Sequence, residues 1–348
     1  MTLATAVLSM AVASGTAHEA RATQPGREVT RWVPVPTTVS TEAQAVLAGP
    51  LSPFADLQPA TPEDWKRVIA EIDAGTWTGI TEPARTLYPV RIEPVVVGGV
   101  PSFRVTPEGG VPPANRNRLL INLHGGAYIV NSGRNAVLEA IPMAHILQVE
   151  VIAPDYRMPP DHPFPAALDD ALAVYRAVVA DRDPRTVGIF GTSAGGGLAT
   201  TALVEALGQG LAAPAAVGLV APWSDIGPVG DSYRTNAVID PTLVRYEGIL
   251  SAAGKLYAGG VPLDDPRVSP VYGPVPAGFP PAILIAGTRD LLLSGTVRLH
   301  RKLVNAGVES DLHVFEALWH DFPLAYGVPE SAEAWHLLAR FFDARLGR

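Results

Sequence analysis

The chain has no cysteine among its 348 residues. That absence excludes disulfides, thiolate metal centres and a cysteine nucleophile together, and it leaves the redox compartment open. Positive charge is in short supply: 26 Lys and Arg against 34 Asp and Glu give a formal net charge of −8. With no basic field to hold a polyanion, nucleic acid is not expected as a partner. Long apolar runs are missing as well. The best candidate, residues 3–13, covers 11 positions, where a bilayer-spanning helix needs about 20, so a soluble protein without stable membrane insertion is expected. Ser14-Gly15-Thr16-Ala17 follows that run like the small-residue exit of a secretory signal, although the positive n-region is absent. Residues 1–17 therefore read as a signal-like leader, and the protein as either exported or cytoplasmic.

What is present is ordinary for a globular chain: 47% hydrophobic and 17% charged residues. The 34 prolines predict many pinned loops. Residues 18–85 read as an N-terminal arm with helices at 41–47 and 62–74. In the second, Thr61-Pro62-Glu63-Asp64 supplies a cap, an N1 proline and first-turn acids, and Trp65, Val68, Ile69 and Ile72 share one apolar face. A segment this small cannot bury a core of its own, so it is expected to lie over something else. Runs at 91–97 and 102–106, joined at Gly98-Gly99, have a hairpin pattern. Strand-like runs at 119–123, 149–153, 187–190, 217–221, 282–286 and 312–315 then alternate with helical stretches, among them 137–147, 166–179 and 291–305. This predicts a catalytic domain over 86–348, built on a mostly parallel sheet with helices on both faces and a ligand site beyond the strand C-terminal ends. An insertion at about 225–262, with a helix expected at 243–257, is read together with the arm as one helical cap over that site.

The sharpest local signal is Gly191-Thr192-Ser193-Ala194-Gly195, where an apolar strand passes into a helical pattern. A serine on so tight a turn takes a strained backbone angle, and its neighbours two before and two after must be tiny because strand and helix crowd them. The turn lifts the hydroxyl clear, and the helix start offers free N–H groups. Alone, the pattern also fits a glycine-rich joint without chemistry. A nucleophilic serine needs a base, an orienting acid and an oxyanion hole. Asp290 stands just past the run 282–286, where it would serve equally as a helix N-cap. Among the histidines, His313 falls in a strand, His300 and His336 in helices, and His18 and His162 in proline-rich or polar loops. His320 directly follows the last strand and completes the order Ser, Asp, His. After the first buried strand, His124-Gly125-Gly126 would turn the N–H groups of Gly125 and Gly126 inward, where with Ala194 N–H they would meet a developing alkoxide. His124 is read as bracing that loop.

With these residues in place the chain resembles the hormone-sensitive-lipase-like bacterial carboxylesterases, within the α/β-hydrolases. The most specific likeness is Asp155-Tyr156-Arg157-Met158-Pro159-Pro160-Asp161-His162-Pro163-Phe164-Pro165-Ala166-Ala167-Leu168-Asp169-Asp170, and Pro222-Trp223-Ser224-Asp225 adds to it. Thr192 resembles the subgroup with threonine before the nucleophile (GTSAG). Three stretches depart from the usual pattern: Ala127 replaces a third glycine, Asp290-Leu291-Leu292 replaces Asp-Pro-Leu, and His320-Asp321-Phe322 replaces His-Gly-Phe. The resemblance implies an α/β-hydrolase fold with a cap, no cofactor or metal, and hydrolysis of short- to medium-chain acyl esters through an acyl-enzyme. It also implies homodimers formed through the sheet edge. Ser193 would attack, His320 would take the proton, Asp290 would hold the imidazole, and Tyr128, Trp223 and Phe322 are expected to line the pocket. The same triad fits lactone, amide or carbamate hydrolysis. A non-catalytic small-molecule receptor, as in the plant gibberellin receptors that lack the histidine, is the competing class, and retention of His320 argues against it. Activity should rise as His320 deprotonates, near pH about 6.5 for an unperturbed ring.

Overall fold

The computed structural model describes residues 28–347, so the leader-like stretch at 1–17 lies outside the described residues. Residues 28–34 belong to a separate unit and carry no helix or strand; every element below lies in the unit beginning at Val35.

Helix α1 (Thr41–Leu47) starts where the Ser40 side chain accepts the Ala43 N–H. Helix α2 (Pro62–Thr76) starts from Thr61, whose hydroxyl accepts the Asp64 N–H at 3.1 Å. It continues through a π-helical turn (Trp77–Thr81) into α3 (Glu82–Leu87), two elements that the sequence pattern does not announce. The hairpin is β1 (Val90–Val97) and β2 (Val100–Pro107), followed by β3 (Leu119–Leu123), α4 (Ala140–Leu147) and β4 (Glu150–Pro154). Next come α5 (Ala166–Asp181), β5 (Val187–Thr192), α6 (Ala194–Gly208) and β6 (Ala216–Val220). The insertion holds α7 (Ser232–Thr235) and α8 (Ile249–Ala258), and the chain ends with β7 (Ala282–Gly287), α9 (Leu293–Asn305), β8 (Ser310–Phe315) and α10 (Pro329–Arg345).

The eight strands form one sheet in the order β1-β2-β4-β3-β5-β6-β7-β8. Pairing is antiparallel at β1/β2 and β2/β4 and parallel from β4 onward, with Leu119 opposite Val187 and Leu123 opposite Gly191 at its centre. Strands β3, β5, β6 and β7 are buried along their whole length, which is why each reads as a nearly continuous apolar run rather than an alternating one. Two cores result. One packs Leu168, Leu172, Leu198 and Leu203 of α5 and α6 on one face, and the other packs Ile141, Leu147, Leu338 and Phe342 of α4 and α10 on the opposite face. A third, small cluster joins Trp65 of α2 to Ile129, Val130 and Ala253. Arg118 is buried and ties α10 to the sheet, donating to the Asp343 carboxylate at 2.7 Å and to the carbonyls of Asp343 and Leu346, both at 2.8 Å.

The helix expected at 243–257 begins six residues late, at Ile249. Val244 is left-handed (φ 60°), and Gly248 (φ 109°) passes so close to the N-terminal segment that a Cβ there would lie 2.0 Å from the Ala55 carbonyl. That tertiary contact breaks the helical register, and no local pattern announces it.

Candidate active site

Strand β5 delivers Ser193 into a backbone conformation of φ 55°, ψ −120°, strained for a residue with a side chain. Its neighbours hold it there. Ser193 N–H donates to the Val220 carbonyl at 2.8 Å, and the Ser193 carbonyl accepts from Gly197 and Trp223 at 3.1 and 2.8 Å. A Cβ at Gly195 would stand 1.8 Å from the Leu123 carbonyl oxygen, so glycine is a steric requirement of the turn. The loops after β7 and β8 bring the other two groups. His320 Nε2 lies 2.8 Å from Ser193 Oγ, and His320 Nδ1 lies 3.0 Å from Asp290 Oδ1. All three side chains are buried.

The acid loop is held from the insertion. Asn236 Nδ2 donates to the carbonyls of Thr288 and Asp290 at 3.0 and 2.8 Å. The buried Asp240 carboxylate accepts the Leu291 N–H at 2.8 Å through Oδ2 and the Thr242 and Leu243 N–H groups at 2.9 and 3.2 Å through Oδ1. Burial raises Asp240 to about 6, with the His320 charge acting against that rise and the Asp290 charge adding to it.

Beyond Ser193 a cavity of about 800 Å³ opens, with Ser193, His320 and Asp321 on its wall. Most of the remaining wall is apolar and comes from elements outside the sheet: Val46 of α1, Ile72 of α2, Ile80 of the π turn, and Leu243 and Ile249 of the insertion. Gly126, Ala127 and Asn131 line it from the loop after β3. The N–H groups of Gly126, Ala127 and Ala194 have no hydrogen-bond partner among the described residues.

The pattern of the alpha/beta hydrolase fold matches residues 120–324. An acetyl-hydrolase of Streptomyces hygroscopicus is 30% identical over 297 residues, covering 83% of this chain and 98% of the relative. A solved structure named esterase E25 superposes with a TM-score of 0.87 at 36% identity, covering 93% of this chain and 99% of that one. An esterase described as from the bacterial hormone-sensitive lipase family reaches a TM-score of 0.70 at 31% identity, covering 83% of this chain and all of its own. The chain belongs to the hormone-sensitive-lipase-like carboxylesterases of the α/β-hydrolase family.

In this family member several sequence expectations need correction. Gly125 N–H does not face an oxyanion: it donates to Glu139 Oε1 at 2.7 Å. Glu139 is buried at the start of α4 and also accepts from Asn122 Nδ2 at 2.9 Å. Burial pushes it up to about 8, against the pull of the Asn122 and Gly125 bonds. Its only trace in the sequence is one acid inside Val137-Leu138-Glu139-Ala140-Ile141. Tyr128, Trp223 and Phe322 do not line the cavity. Tyr128 stacks on Tyr257 with centroids 3.6 Å apart, Trp223 Nε1 donates to the Tyr233 hydroxyl at 3.1 Å, and Phe322 packs on Phe315 at 5.0 Å. Beside Tyr128 and Phe322 the sequence neighbours Ala127, Ile129 and Asp321 reach the cavity instead, because Ala127, Tyr128 and Asp321 take left-handed backbone angles that reverse which side chains face in.

His124 stacks on Tyr156 at 4.2 Å, and its Nδ1 is 2.8 Å from the Gly125 carbonyl. Burial lowers it to about 4, so it is neutral at ordinary pH. The specific 155–170 stretch braces the same loop: Asp155 accepts the Gly133 N–H at 2.8 Å and the Tyr156 hydroxyl donates to the His124 carbonyl at 2.6 Å, while Arg157 pairs with Asp170 inside the stretch at 2.7 Å. The pH expectation for His320 also shifts. Burial disfavours its cation, but the charges of Asp321 and Asp290 and the hydrogen bonds to both outweigh burial and raise it well above the ordinary histidine range. Among the described residues no cluster of three or more His, Asp or Glu could hold a metal ion, and no helix is long and apolar enough to cross a membrane.

Proposed function

We propose that this carboxylic ester hydrolase works through Ser193 as nucleophile, His320 as general base and Asp290 as the orienting acid. The observation that carries the reading is the unbroken hydrogen-bonded path from Ser193 Oγ through both His320 nitrogens to Asp290, at 2.8 and 3.0 Å. His320 Nε2 accepts the hydroxyl proton as Oγ attacks the ester carbonyl, and Asp290 stabilises the resulting imidazolium. The free N–H groups of Gly126 and Ala194 receive the alkoxide; each such donor is worth about 3 kcal/mol of barrier. His320 then protonates the leaving alcohol, and water, deprotonated by the same nitrogen, releases the acid.

The substrates are short- to medium-chain acyl esters, supported by an apolar cavity of about 800 Å³ and by the acetyl-hydrolase among the relatives. The N-terminal helices and the insertion act as one cap over Ser193. Stopped-flow release of p-nitrophenol from p-nitrophenyl butyrate should show turnover through an acyl-enzyme. Ser193→Ala should lose on the order of 10⁶ in kcat. Turnover that survives this substitution refutes the assignment.

A further inference from the structure

Three carboxylates surround His320. Asp290 holds Nδ1 at 3.0 Å, Asp240 lies buried in the insertion beside them, and Asp321 sets Oδ2 3.2 Å from Nε2, the nitrogen that also meets Ser193 Oγ. Glu139, on the α4 side of Asp321, feels its charge and is itself held toward the neutral form, first by burial. Asp321 is therefore the one of the three that sits on the reacting edge of the ring and also on the cavity wall. Its Oδ1 is buried with no hydrogen-bond partner among the described residues. Its backbone is left-handed (φ 58°, ψ 26°), a conformation open to glycine, asparagine and aspartate. Neither packing nor backbone thus requires a carboxylate here, and the carboxylate is aimed at the place where chemistry happens.

We propose that Asp321 determines specificity, its charge beside Ser193 and His320 selecting neutral and cationic esters against anionic ones. The inference rests on the assignment of Ser193 and His320 above. An ester bound for attack must bring its carbonyl to Ser193 Oγ, so a second carboxylate on a short acyl chain enters the field of Asp321 in a poorly screened cavity. One unit charge acting across about 6 Å at an intermediate dielectric changes relative rates roughly 100-fold. The same group has a second effect. Asp321 offers Nε2–H an acceptor other than Ser193, so the imidazolium is held and the free base appears only at higher pH.

Three methyl esters with acyl chains of similar length vary the charge at the far end: methyl butyrate, monomethyl succinate and the methyl ester of β-alanine, with methanol release measured near pH 7.5. The native protein should favour butyrate over succinate in kcat/KM by roughly 100-fold. Asp321→Asn should cut that ratio at least tenfold and reduce the relative rate of the β-alanine ester. The acid limb of kcat/KM for methyl butyrate should also move down by about one pH unit. If Asp321→Asn does not fold, Asp321→Gly suits the same backbone angles and should give the same two shifts. A purely structural role would slow all three esters together and leave both the ratio and the acid limb in place. Hydrolysis of butyrate with an unchanged succinate ratio overturns this inference alone. No hydrolysis of butyrate by the native protein overturns the esterase mechanism and this inference with it.

Discussion

Glu139→Gln should abolish a pH dependence of stability that the native protein carries. The carboxyl has an ordinary value of 4.5 and is pushed to about 8 by burial. Between those values the unfolded chain has lost the proton while the folded one keeps it. The folded state binds more protons, so stability falls as pH rises, by about 1.4 kcal/mol per pH unit. The contribution is fully present below about 4.5 and is lost as pH passes about 8. From pH 5.5 to 7.5 the native protein should therefore lose about 2.5 kcal/mol relative to the variant, whose amide does not titrate. Glutamine can still accept the Gly125 N–H, and the Asn122 Oδ1, which has no partner among the described residues, can receive the new amide donor after a flip. Urea unfolding of both proteins at both pH values isolates the effect, because the other titrating groups cancel in the difference. Unfolding curves that shift in parallel, within about 0.5 kcal/mol, would mean that Gly125 and Asn122 hold an ionised carboxylate and that burial does not set its state.

Other perturbations follow from the same contacts. Gly195→Ala places a methyl 1.8 Å from the Leu123 carbonyl, so the turn must open, and both thermal stability and turnover should collapse rather than decline. Asp240→Ala leaves the N–H groups of Leu291, Thr242 and Leu243 without their acceptor, each costing about 1–3 kcal/mol; kcat should fall while denaturation midpoints drop, and an unchanged kcat would remove Asp240 from the support of Asp290. Arg118→Ala leaves the half-exposed Asp343 carboxylate in water but takes the donor from the Asp343 and Leu346 carbonyls, costing about 1–3 kcal/mol each in urea unfolding with little change in KM. Leu243→Trp fills the wall of the cavity and should move the preferred p-nitrophenyl ester toward shorter acyl chains.

How much of this was legible in the sequence depends on how local each cause is. Strand β3 was readable to the residue because burial on both faces leaves a run that is apolar at every position of Leu119–Leu123 but Asn122. The turn at Ser193 was readable because its constraint is steric and lies within five residues. Asp290 and His320 were readable because the topology of a parallel sheet puts strand ends on one rim. What escaped was set from a distance. The late start of α8 comes from Ala55, almost two hundred positions upstream of Gly248. The use of Gly125 N–H depends on an acid fourteen residues away in another element. Tyr128 and Phe322 stay off the cavity wall because left-handed angles at Ala127, Tyr128 and Asp321 invert the side-chain directions that an ordinary loop would have.

Most of the apolar wall of the cavity and the proposed reacting groups belong to different stretches of polypeptide. Ser193, Asp290 and His320 stand at the ends of β5, β7 and β8, while Val46, Ile72, Ile80 and Leu243 reach in from α1, α2, the π turn and the insertion. Exchanges in those outer stretches can therefore retune which molecules are admitted while the bond-breaking apparatus stays untouched. What the enzyme accepts can therefore drift ahead of what it does, except where Asn236, Asp240 and Asp321 tie the two together.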